Sequence, residues 1–271
     1  GEIIDPINPE TGKSWGWSDV ADLNYDNQGL RKEMTSDMLH WVKNENIDGF
    51  RCDVASNVPL DFWQQAIPQL RREKNIFMLA EAWEPELLKD GLFDMAYGWE
   101  AHHTMNRIAQ GKNTVKDWDK FMAEDAKKYE ANDILMNFVD NHDENSWNGT
   151  IKGRLGKGEE AMTALSYVMP GMPLIYSGNE YGLNHSLKFF EKDSIPKTKG
   201  RDWELRAKLG KLKAENIALN GGKSKAKYTR IKTDDDVNIL AFTREKNGKK
   251  VVYIANFSNK PINSKVAITG E

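Results

Sequence analysis

Three acidic side chains follow apolar segments of the chain at equivalent points. Asp53 ends the segment GFRCD, Glu81 lies near the end of FMLAEAW, and Asp143 ends NFVDNHD. Carboxyl groups that meet in one site can divide the roles of nucleophile and proton donor. A single acid in such a position is more often a helix cap or an ion-pair partner, so the interpretation depends on the three occurring together.

A basic residue accompanies the first of these acids. Arg51 and Asp53 are two residues apart on a predicted strand, so their side chains point to the same side. A guanidinium in this position would hold Asp53 ionised and fix its orientation. A purely structural ion pair is the alternative, and the two residues alone leave it open.

The elements that would position these residues alternate between strands and helices. Hydrophobic periodicity predicts strands at 47–52, 75–82, 92–97, 134–140 and 173–178. It predicts helices at 33–44, 60–72, 115–129, 159–169 and 202–219, with Pro68 bending or dividing the second. This alternation predicts an α/β fold with a parallel sheet, in which the carboxyl ends of the strands share one edge.

The pattern changes near residue 225. Short alternating segments follow, at 228–233, 237–245, 250–258 and 264–268, separated by turn signals such as Asn247–Gly248. We therefore predict two domains, a larger one at 1–222 and a small antiparallel β-domain at 223–271.

Composition narrows the classes of partner. The chain has 38 Lys and Arg against 41 Asp and Glu, a net charge of −3, which gives no reason to propose nucleic acid or an anionic membrane as partner. One cysteine, Cys52, rules out an intrachain disulfide. No apolar run reaches the length of a membrane span. Compartment and oligomeric state are not indicated by the sequence.

Several segments, taken in order, resemble the signature segments of the α-amylase family of glycoside hydrolases. They are GFRCD (49–53), LAEAW (79–83), FVDNHD (138–143) and GMPLIYSGNE (171–180), and DVADLNYDN (19–27) resembles the approach to the fourth barrel strand. The resemblance covers essentially the whole chain. It implies a partial (β/α)8 TIM barrel, about strands four to eight, followed by a truncated β-domain. We therefore expect a piece of a longer protein, with little or no activity as an isolated chain.

The resemblance also implies a role for each matching residue. Asp53 matches the nucleophile, and Glu81 matches the general acid/base. Asp143 matches the third carboxylate, which steadies the distorted sugar. His142 matches a histidine that hydrogen-bonds sugar hydroxyls, and Arg51 matches the partner of the nucleophile.

The implied reaction is retaining cleavage of α-1,4-glucosidic bonds in starch-like glucans or maltooligosaccharides. Retaining enzymes use two carboxyl groups about 5–5.5 Å apart. Transglycosylation or isomerisation within the same family is one alternative. A non-catalytic carbohydrate-binding or subunit domain is the other, although such relatives usually lose one of the carboxylates.

Aromatic residues near the same loops are candidates to stack on a sugar ring. They are Trp83, Tyr97, Trp99 and Trp147, and Trp83 is the best of them because it closely follows Glu81. Packing between barrel and loops is the alternative for each.

No metal site or other cofactor is predicted from these residues. Many α-amylases carry a Lys and then a His after the nucleophile, which contact substrate and calcium. Ser56 and Asn57 stand at those positions here. The resemblance therefore leaves Ca²⁺ open only for the full-length protein.

Overall fold

The computed structural model describes residues 4–8 and 11–268. The chain divides into two compact units. The first comprises the described residues up to Glu81 together with Asp90–Phe93, and the second comprises Ala82–Lys89 and the described residues from Asp94 onward. The domain boundary at residues 222 and 223 stays a prediction.

The first unit alternates helices and strands: α1 (Gln28–Lys43), β1 (Gly49–Cys52), α2 (Leu60–Glu73) and β2 (Phe77–Ala80). The two strands pair in parallel. Glycine is required where β1 begins, because a Cβ on Gly49 would lie 1.8 Å from the carbonyl oxygen of Phe77.

Two helix predictions in this unit need correction. Helix α1 begins at Gln28 and not at 33, because the Asn27 side chain accepts hydrogen bonds from the N–H groups of Gly29 and Leu30. Pro68 does not divide α2, which continues to Glu73. The buried residues on both sides of Pro68, Ile67 and Leu70, hold the two halves of the helix in the core.

The second unit contains three more parallel strands, β3 (Met95–Tyr97), β4 (Leu135–Asn137) and β5 (Met172–Pro173), paired in that order. The strand predicted at 173–178 is wrong beyond its first residues. The N–H of Leu174 still donates to the carbonyl of Asn137. The side chain of Asn179 then accepts from the N–H of Tyr176, and this bond turns the chain out of the sheet.

Six helices accompany these strands: α3 (Trp99–Ala109), α4 (Val115–Lys128), α5 (His142–Asn148), α6 (Ile151–Leu155), α7 (Glu159–Val168) and α8 (Arg201–Glu215). Helix α4 begins with a capping box between Thr114 and Asp117. Helix α8 ends at Glu215 and not at 219, because the chain continues as a short 3-10 turn, Ile217–Leu219.

An antiparallel sheet completes the second unit, with β6 (Lys227–Ile231), β7 (Ile239–Lys246) and β8 (Lys249–Asn256). Asn247 and Gly248 form the two-residue hairpin between β7 and β8, both with positive φ. The segment predicted as a strand at 264–268 makes only an isolated bridge, from Val266 to Thr233.

A buried arginine ties this sheet to the helical part of the second unit. Arg244 is fully buried, and its guanidinium donates to the carbonyls of Val168, Asn220 and Ala226 at 2.8, 3.0 and 3.1 Å. Burial lowers the pKa of Arg244 to about 10. The sheet therefore packs as part of one core, which includes Leu165, Leu240 and Phe242.

These elements confirm the α/β class and the small antiparallel sheet, whereas the partial barrel stays a prediction. Within residues 4–8 and 11–268, no helix combines the length and hydropathy that crossing a membrane requires.

Candidate active site

One guanidinium joins two of the predicted catalytic acids. Arg51, on β1, lies opposite Leu79 of β2, so the next residues of both strands lie at one edge. The Arg51 Nη1 atom is paired with Oδ1 of Asp53, and its Nη2 atom lies 2.9 Å from Oε1 of Glu81. The cation offsets the repulsion between the two carboxylates and holds both within reach of a single side chain.

The backbone after Asp53 also contacts Glu81. Val54 adopts a left-handed conformation, with φ 41° and ψ 47°, which is rare for a β-branched residue. In this conformation its N–H donates to Oε2 of Glu81 at 2.7 Å. The strained residue therefore lies beside Glu81 and supplies a hydrogen-bond donor to its carboxylate.

The two acids differ in exposure. The Asp53 side chain is 64% exposed and the Glu81 side chain is 15% exposed. Asp53 also lines a cavity of about 690 Å³ together with Ser56, Asn57 and Tyr25. The more exposed acid can therefore approach a ligand directly, while the more enclosed acid is held by protein donors.

The neighbouring cysteine is not a competing nucleophile. Burial raises the pKa of the Cys52 thiol to about 12, against the smaller opposite effect of Arg51. Because the thiolate is the nucleophilic form, Cys52 is inert at neutral pH.

His142 and Asp143 are the first two residues of α5, in the second unit. Asn141 caps this helix, and its side chain accepts from the N–H of Glu144 at 2.8 Å. The Nε2 atom of His142 lies 3.4 Å from Oδ2 of Asp143, and both side chains are partly exposed. The pair presents an imidazole and a carboxylate to solvent side by side.

The next residue of α5 is buried in a polar cluster. Glu144 accepts from Nε2 of His102 at 3.0 Å, and Arg154 lies 4.0 Å away. Burial alone would raise the pKa of Glu144, but the hydrogen bond from His102 and the charges of His102 and Arg154 outweigh it, so the pKa is lowered. A charged anchor therefore fixes the helix that carries His142 and Asp143.

Asp140 extends this cluster toward the end of β4. It accepts from Arg154 at 2.7 Å and from the side chain of Asn179 at 3.2 Å. Burial raises its pKa to about 6 despite the charge of Arg154. The cluster thus joins the segment before α5 to the turn after β5.

Trp83 lies on the wall of a cavity in the second unit. The cavity has a volume of about 800 Å³, and Tyr97, Trp99 and Tyr129 line it as well. Trp83 is 51% exposed, and its carbonyl accepts from the Tyr129 hydroxyl at 2.6 Å. The rings of Tyr97 and Trp99 stack with centroids 5.7 Å apart. Trp83 therefore has an exposed ring next to further aromatic surface.

Among the described residues, no group of three or more His, Cys, Asp or Glu is arranged to hold a metal ion. Ser56 and Asn57 line the cavity beside Asp53 with uncharged side chains.

A model of the α-amylase catalytic domain matches residues 15–248. The chain belongs to the α-amylase family. Among solved structures, the maltogenic α-amylase AmyB from Thermotoga neapolitana is similar with a TM-score of 0.79 and 26% identity, covering 93% of this chain and 59% of that one. An α-amylase from Lactobacillus plantarum, at 24% identity and a TM-score of 0.75, shares the fold.

Curated members of the α-amylase family are more distant in sequence. The α-amylase MalA of Haloarcula japonica is 22% identical over 256 residues, covering 93% of this chain and 37% of MalA. The intracellular maltogenic amylase of Bacillus subtilis is 25% identical over 262 residues, covering 89% of this chain and 42% of that enzyme. The chain spans less than half the length of these two relatives.

Sequence reasoning missed the residues that hold the site in place. The donor at Val54 depends on a left-handed conformation that a valine gives no reason to expect. His102, Glu144 and Arg154 interact across α3, α5 and α6, which no local pattern reveals. The one readable signal was Asn141, a favoured N-cap residue directly before the helix.

Proposed function

We propose that the protein containing this chain is a retaining glycoside hydrolase that cleaves α-1,4-glucosidic bonds in starch-like glucans or maltooligosaccharides. The observation that carries the proposal is the shared guanidinium of Arg51, which binds both Asp53 and Glu81. Two carboxyl groups bound by one guanidinium suit the double displacement of a retaining enzyme.

In the first half-reaction, Asp53 attacks the anomeric carbon and forms a glycosyl ester. The bond from that carbon to the leaving oxygen breaks, and Glu81 gives its proton to this oxygen. In the second half-reaction, Glu81 takes a proton from water while the water oxygen displaces Asp53. Both carboxyl groups then have their starting protonation.

The contacts of Glu81 suit the second of these steps. Its carboxylate is paired with Arg51 and accepts a hydrogen bond from the Val54 N–H, contacts that suit a proton acceptor. The first step needs a proton on Glu81, which passes to the leaving oxygen.

Asp143 and His142, in the second unit, take the remaining roles that the family resemblance implies. We assign Asp143 to steadying the positive charge that develops on the sugar, and His142 to binding its hydroxyls. That Asp53, Glu81 and Asp143 converge on one sugar stays a prediction. The assignment of maltooligosaccharide substrates follows the names of the relatives, which include maltogenic amylases and a cyclomaltodextrinase.

The decisive variant is Glu81→Gln in the full-length protein. Without a proton donor, turnover of maltoheptaose should fall by about 10²–10⁴-fold, while its binding, measured by calorimetry, persists. Glu86→Gln, an exposed acid in the short helix Pro85–Leu88, is the matched control and should retain full turnover.

Unchanged turnover in Glu81→Gln would contradict the role of Glu81. Product analysis on the wild type separates hydrolysis from transfer, because hydrolysis creates one new reducing end per cleavage and transfer creates none. A wild type that accumulates longer glucans without new reducing ends would assign the protein to transglycosylation.

A further inference from the structure

A cavity of about 800 Å³ in the second unit combines aromatic walls with acidic side chains. We call it the aromatic cavity and define it by five rings that line it: Trp83, Tyr97, Trp99, Phe121 and Tyr129. Pockets that bind small molecules usually have volumes of about 300–1,000 Å³. The aromatic cavity is therefore large enough for a small organic ligand.

Two contacts hold rings of the aromatic cavity in place. The hydroxyl of Tyr129, the residue after α4, donates to the Trp83 carbonyl at 2.6 Å. The rings of Tyr97 and Trp99 stack with centroids 5.7 Å apart. A ligand would therefore meet walls that are already ordered, which lowers the entropic cost of binding.

Asp125, on α4, also lines the aromatic cavity. In the part of the chain that the structure describes, its side chain makes no hydrogen bond or ion pair. Burial raises the pKa of this carboxyl group to about 6, and the charges of Lys225 and Lys128 oppose the shift only in part. A buried carboxylate without a donor is costly, so a ligand that brings a donor to Asp125 gains free energy of binding.

The charge of the aromatic cavity favours a cation. Glu100 and Glu124 also line it, and each has a basic neighbour on its own helix at 3.8 Å. Lys128 contributes a positive charge, whereas burial lowers the pKa of His103, so that its imidazole is neutral at neutral pH. Once Asp125 is ionised, three carboxylates face one ammonium group among the described lining residues.

One ring of the aromatic cavity already contacts a cation of the protein itself. The Nζ atom of Lys128 lies 5.1 Å from the centroid of the Tyr129 ring. A cation within about 6 Å of an aromatic face is attracted by the quadrupole of the ring, and tryptophan attracts it most strongly. Trp83, which is 51% exposed, offers such a face in the same cavity. The rings therefore suit a cation, as the carboxyl group of Asp125 does.

Three other classes of ligand suit the aromatic cavity less well. A purely apolar ligand would bury Asp125 further without giving it a donor. The carboxylates would repel an anion. A neutral ligand with hydroxyl groups could donate to Asp125, but such a hydrogen bond is weaker than one from a charged donor and leaves the negative charge unbalanced.

We propose that the aromatic cavity binds an organic ammonium ion, whose N–H groups donate to Asp125 and whose apolar body lies against Trp83 and Tyr129. The site is independent of the proposed function, because none of its described lining residues takes part in the proposed bond cleavage.

The test measures binding of benzylammonium to the full-length protein by calorimetry, at a pH well above 6 so that Asp125 is ionised. Benzyl alcohol is the matched neutral probe, and the wild type should bind it at least about tenfold more weakly. Asp125→Asn should weaken benzylammonium binding by about tenfold or more, because the charged acceptor is lost. Trp83→Ala should weaken it by about two- to tenfold, and Trp83→Phe, which keeps an aromatic face, should retain most of the affinity.

Two control variants remove equivalent groups elsewhere in the protein. Glu204→Gln removes an exposed acid on α8, and Trp41→Ala removes a 53% exposed tryptophan on α1. Both variants should bind benzylammonium with the affinity of the wild type. Melting curves establish that Asp125→Asn is folded, as we expect of a change that removes a buried charge.

Four outcomes would overturn the proposed ammonium site. The first two are a wild type that does not bind benzylammonium and a wild type that binds benzyl alcohol equally tightly. The third is a folded Asp125→Asn protein with wild-type affinity for benzylammonium. The fourth is displacement of benzylammonium by maltoheptaose, because Trp83 would then belong to the glucan site.

Discussion

Replacing Arg51 tests whether one guanidinium organises the two proposed catalytic acids. Arg51→Lys keeps the charge but offers one ammonium group, which can hold Asp53 or Glu81 in the observed geometry but not both. Arg51→Met removes the charge and both contacts. Comparing the two variants therefore separates the effect of the positive charge from the effect of the guanidinium's two contacts.

The magnitude follows from the contacts. A hydrogen bond to a charged group contributes about 1.5–3 kcal/mol, and each 1.4 kcal/mol or so is tenfold in rate. Arg51→Lys loses one of two such contacts, so kcat/KM should fall about 10–100-fold. Arg51→Met loses both contacts, so the fall should be about 10²–10⁴-fold.

The assay is kcat/KM of the full-length protein on maltoheptaose. Arg107→Met is the control, since Arg107 is half-exposed on α3 and its contact with Glu100 is 3.8 Å long. Circular dichroism establishes that the variants are folded.

Two outcomes would refute this reasoning. A folded Arg51→Met protein that keeps kcat/KM within tenfold of the wild type would show that the guanidinium does not organise the acids. Equal losses in Arg51→Lys and Arg51→Met would show that the forked geometry, and not the charge, accounts for the whole effect.

Two further predictions concern stability. Arg244→Met should lower the free energy of unfolding in urea by about 3–5 kcal/mol, because three backbone carbonyls lose their hydrogen-bond donor. The control is Glu245→Gln, on the exposed side of β7, which should change this free energy by less than about 0.5 kcal/mol. Burial raises the pKa of Asp125 from 3.8 to about 6, because the buried site disfavours the charged carboxylate. The protonated carboxyl group therefore contributes fully to stability below pH 3.8, and this contribution is lost as the pH rises through 6. Asp125→Asn should therefore melt at a higher temperature than the wild type above pH 6, with the difference disappearing toward acid pH; an equal difference at every pH would contradict the buried-charge explanation.

The sequence predicted elements whose signals are local. Helix α4 was expected at 115–129 and spans Val115–Lys128, because its apolar period and its capping residues Thr114 and Asp117 act within one turn. The hairpin at Asn247–Gly248 was also expected, since both residues tolerate positive φ.

Elements that depend on distant partners were missed. Helix α3 was not predicted, because its buried face includes the polar residues His102 and Thr104. These residues interrupt the regular spacing of apolar residues from which a helix is predicted. The strand expected at 173–178 ended early because of a side-chain bond from Asn179. In the candidate site, the positions of Asp53 and Glu81 could be read from the strand ends. The contacts of Glu81 with Arg51 and Val54 depend on the pairing register of β1 and β2, which the sequence does not specify.

Two hydrogen bonds join α5 to Leu187 and have a consequence for the loop that follows. Asn145 and Ser146 connect the helix bearing Asp143 to the loop bearing Phe189 and Phe190, so a shift of the helix would displace both together. The side chains at 189 and 190 can be exchanged without touching those bonds. The loop is therefore tied to the helix at Leu187, and residues 189 and 190 are free to vary in sequence while the anchor is kept.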